Sequence, residues 1–210
     1  MKEQAIDSWM ETLYSKEPVP GGGGASAVAG SMAAALGGMV ANLTTGKKKY
    51  AEYQEDIEGI LEKTQDYKNA FLRLMEEDAA AFEPLAKAYS LPKSTPEEAA
   101  AKEAVMEEAL KNASAVPLKI MLTAFDLIDV LDELAVKGSR MALSDVGVAL
   151  MMDRAALMGA SMNVYINTKC MKDRERAVAY ETQADELIET GCTRIDAIYE
   201  RVVGELRGKV

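Results

Sequence analysis

The chain has no histidine among its 210 residues, which removes the usual acid–base side chain and the commonest metal ligand. Proton transfer must then fall to a carboxylate, lysine, tyrosine or cysteine. Among the carboxylates, Asp78 stands apart. On a helical wheel of about 3.6 residues per turn, Phe71, Met75, Asp78, Phe82, Leu85 and Tyr89 share one narrow sector. Asp78 lies near its middle, while Glu76 and Glu77 point elsewhere. A carboxylate on a core-facing stripe is unfavourable unless it is paired or functional. Two readings follow: a structural Asp bonded to a neighbouring helix, or an acid whose pKa is raised by an apolar wall and which can deliver a proton near neutrality.

The second chemically suggestive stretch runs from Pro18 to Lys49. Pro18-Val19-Pro20 holds the backbone extended, and Gly21-Gly22-Gly23-Gly24 follows, where the chain can adopt positive φ and amides can approach a ligand. A glycine-rich turn opening a helix suits an anion or a polar ring edge. No residue from Ala25 to Thr45 is charged, and Val28, Met32, Leu36, Met39, Val40 and Leu43 form one stripe of larger residues. So many Ala, Gly, Ser and Thr residues are only weakly apolar for a membrane span. They read instead as a helix packed closely by neighbours all round. A nucleotide P-loop is excluded, because neither the Gly-Lys-Ser/Thr spacing nor a preceding strand is present. Lys47, Lys48 and Lys49 follow Gly46 at the negative end of the helix dipole, a sufficient structural role that also leaves them free to meet an anion.

These residues are positioned by helices. Ile6, Trp9, Met10 and Leu13 mark a short amphipathic helix, and the uncharged segment is the second. A third helix runs from about Tyr53 to Tyr89. Thr95-Pro96-Glu97-Glu98 opens a fourth with a capping box, kinked or restarted at Pro117 and ended by Gly138. Its Asp126, Asp129, Asp132 and Glu133 read as a wet face and a poor metal site. Ser144 as N-cap with Asp145 in the first turn begins a fifth helix, with Val148, Met151 or Met152, Ala155, Met158, Met162 and Tyr165 inward and Asn163 and Asn167 as a polar strip. The last starts near Asp173 and carries Ile188, Cys192, Ile195, Ile198, Val202 and Leu206. With no period-two alternation and no repeat, the chain is expected to be all-α, a bundle of long, mostly antiparallel helices forming one domain over 1–210. Its small-residue and Met-rich faces exceed what one chain can cover, so a two-fold homodimer is expected.

Composition narrows the partners. A net charge of −10 argues against nucleic acid, which wants a basic face. The acidic, polar start from Met1 to Asp7 does not read as a signal peptide, and Cys170 and Cys192 are expected to be reduced thiols in a cytoplasmic protein.

Taken in order, several segments resemble the cyclodeaminase/cyclohydrolase family of folate enzymes, which includes the C-terminal domain of formiminotransferase-cyclodeaminase and stand-alone bacterial methenyltetrahydrofolate cyclohydrolases. They are Pro20-Gly21-Gly22-Gly23, Met39-Val40-Ala41-Asn42-Leu43-Thr44 before Gly46-Lys47-Lys48-Lys49-Tyr50, and Asp78-Ala79-Ala80-Ala81-Phe82. Leu91-Pro92-Lys93, Val116-Pro117-Leu118, Ser144-Asp145-Val146-Gly147-Val148-Ala149 and Asn163-Val164-Tyr165-Ile166-Asn167 complete the series. Gly24 and Ser139 depart from it, standing where relatives commonly have Ser and Asn.

The resemblance implies an all-helical homodimer, a tetrahydrofolate derivative as substrate, and Asp78 as catalytic proton donor. No metal or other cofactor is implied. Gly21, Gly22, Gly23, Ser26, Lys47, Lys48, Lys49, Ser144, Asp145 and Asn163 are the substrate-binding candidates, the lysines facing the glutamate tail. The leading expectation is cyclodeamination of 5-formiminotetrahydrofolate to 5,10-methenyltetrahydrofolate and ammonia. The alternative is the cyclohydrolase reaction between methenyl- and 10-formyltetrahydrofolate, and a further one, of another class, is a non-catalytic folate-binding dimer.

Overall fold

A computed structural model describes residues 5–208. Among these, six α-helices and two short 3-10 turns account for the regular structure, with no strand. The helices are α1 (Ile6–Tyr14), α2 (Gly22–Asn42), α3 (Gln54–Tyr89), α4 (Pro96–Lys137), α5 (Leu143–Thr168) and α6 (Arg174–Leu206). The expected all-α bundle is the observed one. Helix α2 lies between α3 and α5, while α4 packs on α3, α5 and α6. Cross-contacts give the directions. Gly22 and Gly159 of α2 and α5 meet Asn163 and Ser26, and Gly30 and Gly37 of α2 meet Phe71 and Thr64 of α3, so both pairs are antiparallel. Lys137 reaches Asp56 and Lys119 reaches Glu77, making α3 and α4 antiparallel too.

Local chemistry explains the element ends. The Thr95 capping box is present: Glu98 N–H donates to Thr95 Oγ1 at 3.1 Å, and Thr95 N–H donates to Glu98 Oε2 at 3.2 Å. Helix α4 then continues through Pro117 without interruption. Helix α2 ends at Asn42 with Leu43 as its C-cap, and Gly46 takes φ +73° in the turn that follows, a conformation that glycine favours. At the start of α6, Asp173 caps Arg176 N–H at 3.0 Å. The core of α3 contains Ile57, Ile60, Phe71 and Leu85, each at most 1 % exposed. Burying a side chain of this kind contributes about 1.5–3 kcal/mol.

Five sequence expectations differ from the structure. The glycine run does not precede α2. Gly22, Gly23 and Gly24 form its first turn, and none of them has positive φ. Second, α2 is not enclosed all round. Ala27, Gly30, Ala33, Ala34, Gly37 and Ala41 face the bundle, whereas Met32, Met39 and Leu43 are exposed. Small residues go inward because they let neighbouring helices approach; of the larger stripe Val40 is buried, Val28 and Leu36 pack partly buried on the core, and the other three point outward. By composition and length α2 could cross a membrane, but its small-residue face is buried against protein.

Third, most of the expected inward face of α5 points outward. Val146, Ala149, Leu150, Ala156, Leu157, Ala160 and Val164 are buried, while Val148, Ala155, Met158 and Met162 are exposed; Met151, Met152 and Tyr165 do pack, partly buried, against the core. With apolar residues on both sides of the helix, periodicity could not choose the face. Fourth, Ser144 is not an N-cap: the helix begins at Leu143 after Ala142, which provides no side-chain cap, and Ser144 lies exposed in the first turn. In α1, Trp9 is buried but Ile6 and Met10 of the predicted stripe remain exposed.

Candidate functional site

Three helices converge on one cavity. Pro18, Val19 and the first turn of α2 form one wall, Asp78 and Phe82 of α3 a second, and Asn163, Ile166 and Asn167 of α5 a third, with Ala113 of α4 behind. The cavity holds about 160 Å³, below the ~300–1,000 Å³ of pockets that enclose a drug-sized ligand. One chain therefore offers room for part of a large substrate.

Asp78 is half-buried against Gly23. A Cβ built on Gly23 would fall 2.2 Å from Asp78 Oδ1 and 2.5 Å from Oδ2. The glycine is required by close approach rather than by backbone conformation. Burial pushes the Asp78 pKa up to about 6, against a smaller downward pull from the Gly24 amide, which hydrogen-bonds the carboxyl. An acid near neutrality thus faces the amino end of α2, where helix amides are unpaired. Gly22 allows a second approach: its Cβ would lie 3.3 Å from both polar atoms of the Asn163 side chain. Asn163 Nδ2 donates to Gly159 O at 3.2 Å, and Asn167 Nδ2 to Ala113 O at 2.8 Å.

The structure groups Gly21, Gly22, Gly23, Asp78 and Asn163 in this cavity. Ser26 is adjacent but turned into the α2–α5 contact. Its Oγ donates to Gly22 O at 2.8 Å and leaves no space for a side chain at Gly159. The remaining candidates lie at the far end of α2. Across its 21 residues, at ~1.5 Å each, the helix is roughly 30 Å long. Lys47, Lys48 and Lys49 follow its carboxyl end, and Ser144 and Asp145 open the antiparallel α5 beside them. There Lys47 Nζ lies 3.4 Å from Ser139 Oγ, Ser139 N–H donates to Thr44 Oγ1 at 2.8 Å, and Arg140 N–H donates to Tyr50 Oη at 3.0 Å. That last bond is the main reason the Tyr50 pKa is lowered. Within one chain the lysines do not join the Asp78 cavity.

Pro18, Val19, Phe82, Ala113, Ile166 and Asn167 also line the cavity, though none is among the site residues expected from sequence. The available signal was the one-turn spacing from Asn163 to Asn167. The two departures from the family pattern also have definite places. A side chain at Gly24 would meet only Pro20 and Met75 at 3.5 and 3.8 Å, ordinary contact. Ser139 is buried beside Lys47.

An all-helical bundle with a half-buried carboxyl against a glycine-rich helix start defines the class of protein, and comparison with known proteins gives it a family. The chain belongs to the formiminotransferase-cyclodeaminase family, whose model matches residues 5–186. It is 40 % identical over 199 residues to a methenyltetrahydrofolate cyclohydrolase of Methylorubrum extorquens, covering 95 % of this chain and 96 % of that protein. It is 32 % identical over 171 residues to the mouse formimidoyltransferase-cyclodeaminase, covering 81 % of this chain but only 32 % of that longer protein. The crystal structure of a formiminotetrahydrofolate cyclodeaminase from Thermotoga maritima superposes with a TM-score of 0.81 at 30 % identity, covering 99 % of this chain and 98 % of the other. The protein is an enzyme of the folate one-carbon cyclodeaminase or cyclohydrolase kind.

Proposed function

We propose that the enzyme closes 5-formiminotetrahydrofolate to 5,10-methenyltetrahydrofolate with loss of ammonia, Asp78 supplying the proton. N10 attacks the formimino carbon, and its proton passes to the imino nitrogen, which becomes an amine. Asp78 gives that amine a second proton, the carbon–nitrogen bond breaks, and ammonia leaves with the bonding pair while the N5 lone pair closes the methenyl cation. The balance needs no electron donor or acceptor. The observation that carries this reading is a half-buried carboxyl with a pKa of about 6, held against Gly23 in the cavity. An acid poised near the working pH is the most effective proton donor.

The near-full-length relative at 40 % identity favours a second reading, addition of water to the methenyl carbon followed by cleavage of its bond to N5 to give 10-formyltetrahydrofolate. Asp78 would then accept the water's proton, and N5 takes up a proton as the hydroxyl loses its own to become the formyl carbonyl. The pH dependence of kcat/KM separates the two. As a proton donor Asp78 must be protonated, so activity falls as pH rises through about 6; as a base it must be ionised, and activity falls below that value. The assay is methenyl absorbance with each folate, which accumulates from the formimino compound or decays from the methenyl one. A flat profile from pH 5 to 8 removes Asp78 from either role.

We further propose that the active form is a homodimer built on the outward face of α2 and α5. Met32, Met39 and Leu43 of α2 and Val148, Met158, Met162 and Ile166 of α5 are exposed on these adjacent helices, a larger apolar surface than isolated surface residues make. A two-fold partner lying antiparallel along it would set the Lys47–Lys49 end of one chain beside the Asp78 end of the other. The partial cavity would thereby gain cations for the anionic glutamate tail. Sedimentation and activity measured together on dilution test this: specific activity should fall as dimer dissociates, and a fully active monomer would overturn the shared site. The free thiols of Cys170 and Cys192 fit a reducing compartment such as the cytoplasm.

A further inference from the structure

We infer that Asn167 is a substrate-reading residue of this cavity, and that Pro117 sets its orientation from outside the site. The inference rests on the proposed folate reaction in the Asp78 cavity and adds a specificity determinant to it. In an α-helix the carbonyl of residue i accepts from the N–H of i+4. Pro117 has no N–H, so within α4 the carbonyl of Ala113 loses that donor. The vacancy is filled from the neighbouring helix: Asn167 Nδ2 donates to Ala113 O at 2.8 Å in a buried contact.

This bond decides which way the Asn167 amide points. A carbonyl oxygen can face only the NH₂ end of the side chain, so Oδ1 is the end left over. Asn167 and Ala113 both line the cavity that contains Asp78. Asn167 Oδ1 is therefore presented as a hydrogen-bond acceptor of fixed orientation in the site. It suits an N–H donor on the bound ligand, and a reduced pterin carries several on its ring edge. The adjacent Asn163 is held less rigidly, donating at 3.2 Å to Gly159 O of its own helix. Asp78 serves the reacting carbon, and Asn167 would register the ring relative to it.

The test uses the full-length enzyme in the absorbance assay, alongside thermal unfolding, with 5-formiminotetrahydrofolate as the probe, and with methenyltetrahydrofolate instead if the native enzyme turns over only that compound. Asn167→Ala should raise KM about 10-fold, the loss expected for one buried hydrogen bond to substrate, with kcat within about 3-fold. Pro117→Ala restores an N–H that competes for Ala113 O and releases the Asn167 amide. It should raise KM about 3-fold or more in the native background, and should leave KM unchanged when added to Asn167→Ala. Unchanged KM in Asn167→Ala overturns the reading role. Equal Pro117→Ala effects in both backgrounds overturn the orienting role, because Pro117 would then act by some other route. If Asn167→Ala fails to fold, Asn167→Ser is used, scored by the same KM criterion. Asp78→Asn run in parallel keeps the two levels apart: full turnover there defeats the catalytic reading of the cavity, while an inactive Asp78→Asn with a normal Asn167→Ala defeats this inference alone.

Discussion

Asp78→Asn should lower turnover by about 10²-fold or more, as expected for loss of a positioned proton donor, and should make the protein more stable at pH 7. Both results follow from the same geometry. The carboxyl is half-buried against Gly23, and burial raises its pKa from 3.8 to about 6. Below the unfolded value the group is protonated in both states and burial of its charge costs nothing. As pH rises from about 4 to about 6, the unfolded chain ionises more readily than the folded one, and stability is lost over that window. Above about 6 the loss is complete, on the order of 3 kcal/mol and less to the extent that solvent still reaches the group. Asparagine cannot ionise, so its advantage should be present at pH 7 and absent below pH 4. Denaturant midpoints at the two pH values measure it. A folded Asn variant with near-normal turnover would end the assignment of Asp78 as catalyst, and a variant destabilised at pH 7 would show that the carboxylate is paired after all.

Gly23→Ala should lose activity while obeying every local rule for a helix. Gly23 has no positive φ and lies in the first turn of α2, so alanine suits the backbone and would ordinarily stabilise by about 0.5–1 kcal/mol. The obstacle is across the cavity. The new methyl would fall 2.2 Å from Asp78 Oδ1, and either the carboxyl or the helix start must move. Overpacking of this kind costs roughly 1–3 kcal/mol, and displacing a catalytic group by about 1 Å lowers rate on the order of 10²-fold. Gly59→Ala in α3 is the control, since a Cβ there meets nothing within 4 Å. It should keep native turnover and gain slight stability. Wild-type kcat/KM in Gly23→Ala would mean that Asp78 works from another position.

The sequence by itself determined the helical architecture and singled out the carboxylate proposed as the acid. Absence of period-two alternation and the Thr95 capping box are local signals, set by residues within a turn or two, and the structure reproduces both among the described residues. Asp78 was legible because one carboxylate interrupted an otherwise apolar stripe. Only the tertiary structure decided which faces of α2 and α5 turn inward. Both helices are nearly uncharged, so the choice rests on how closely Gly30, Gly37 and Gly159 let neighbouring backbones approach, a property of helix pairs rather than of either helix. It also decided that the glycine run belongs to α2 and makes room for Asp78 and Asn163. The same long-range pairing separated the Lys47–Lys49 end from the cavity by the length of α2, and brought Asn167 to the carbonyl that Pro117 leaves free. That contact joins residues 54 positions apart, beyond the reach of any local pattern.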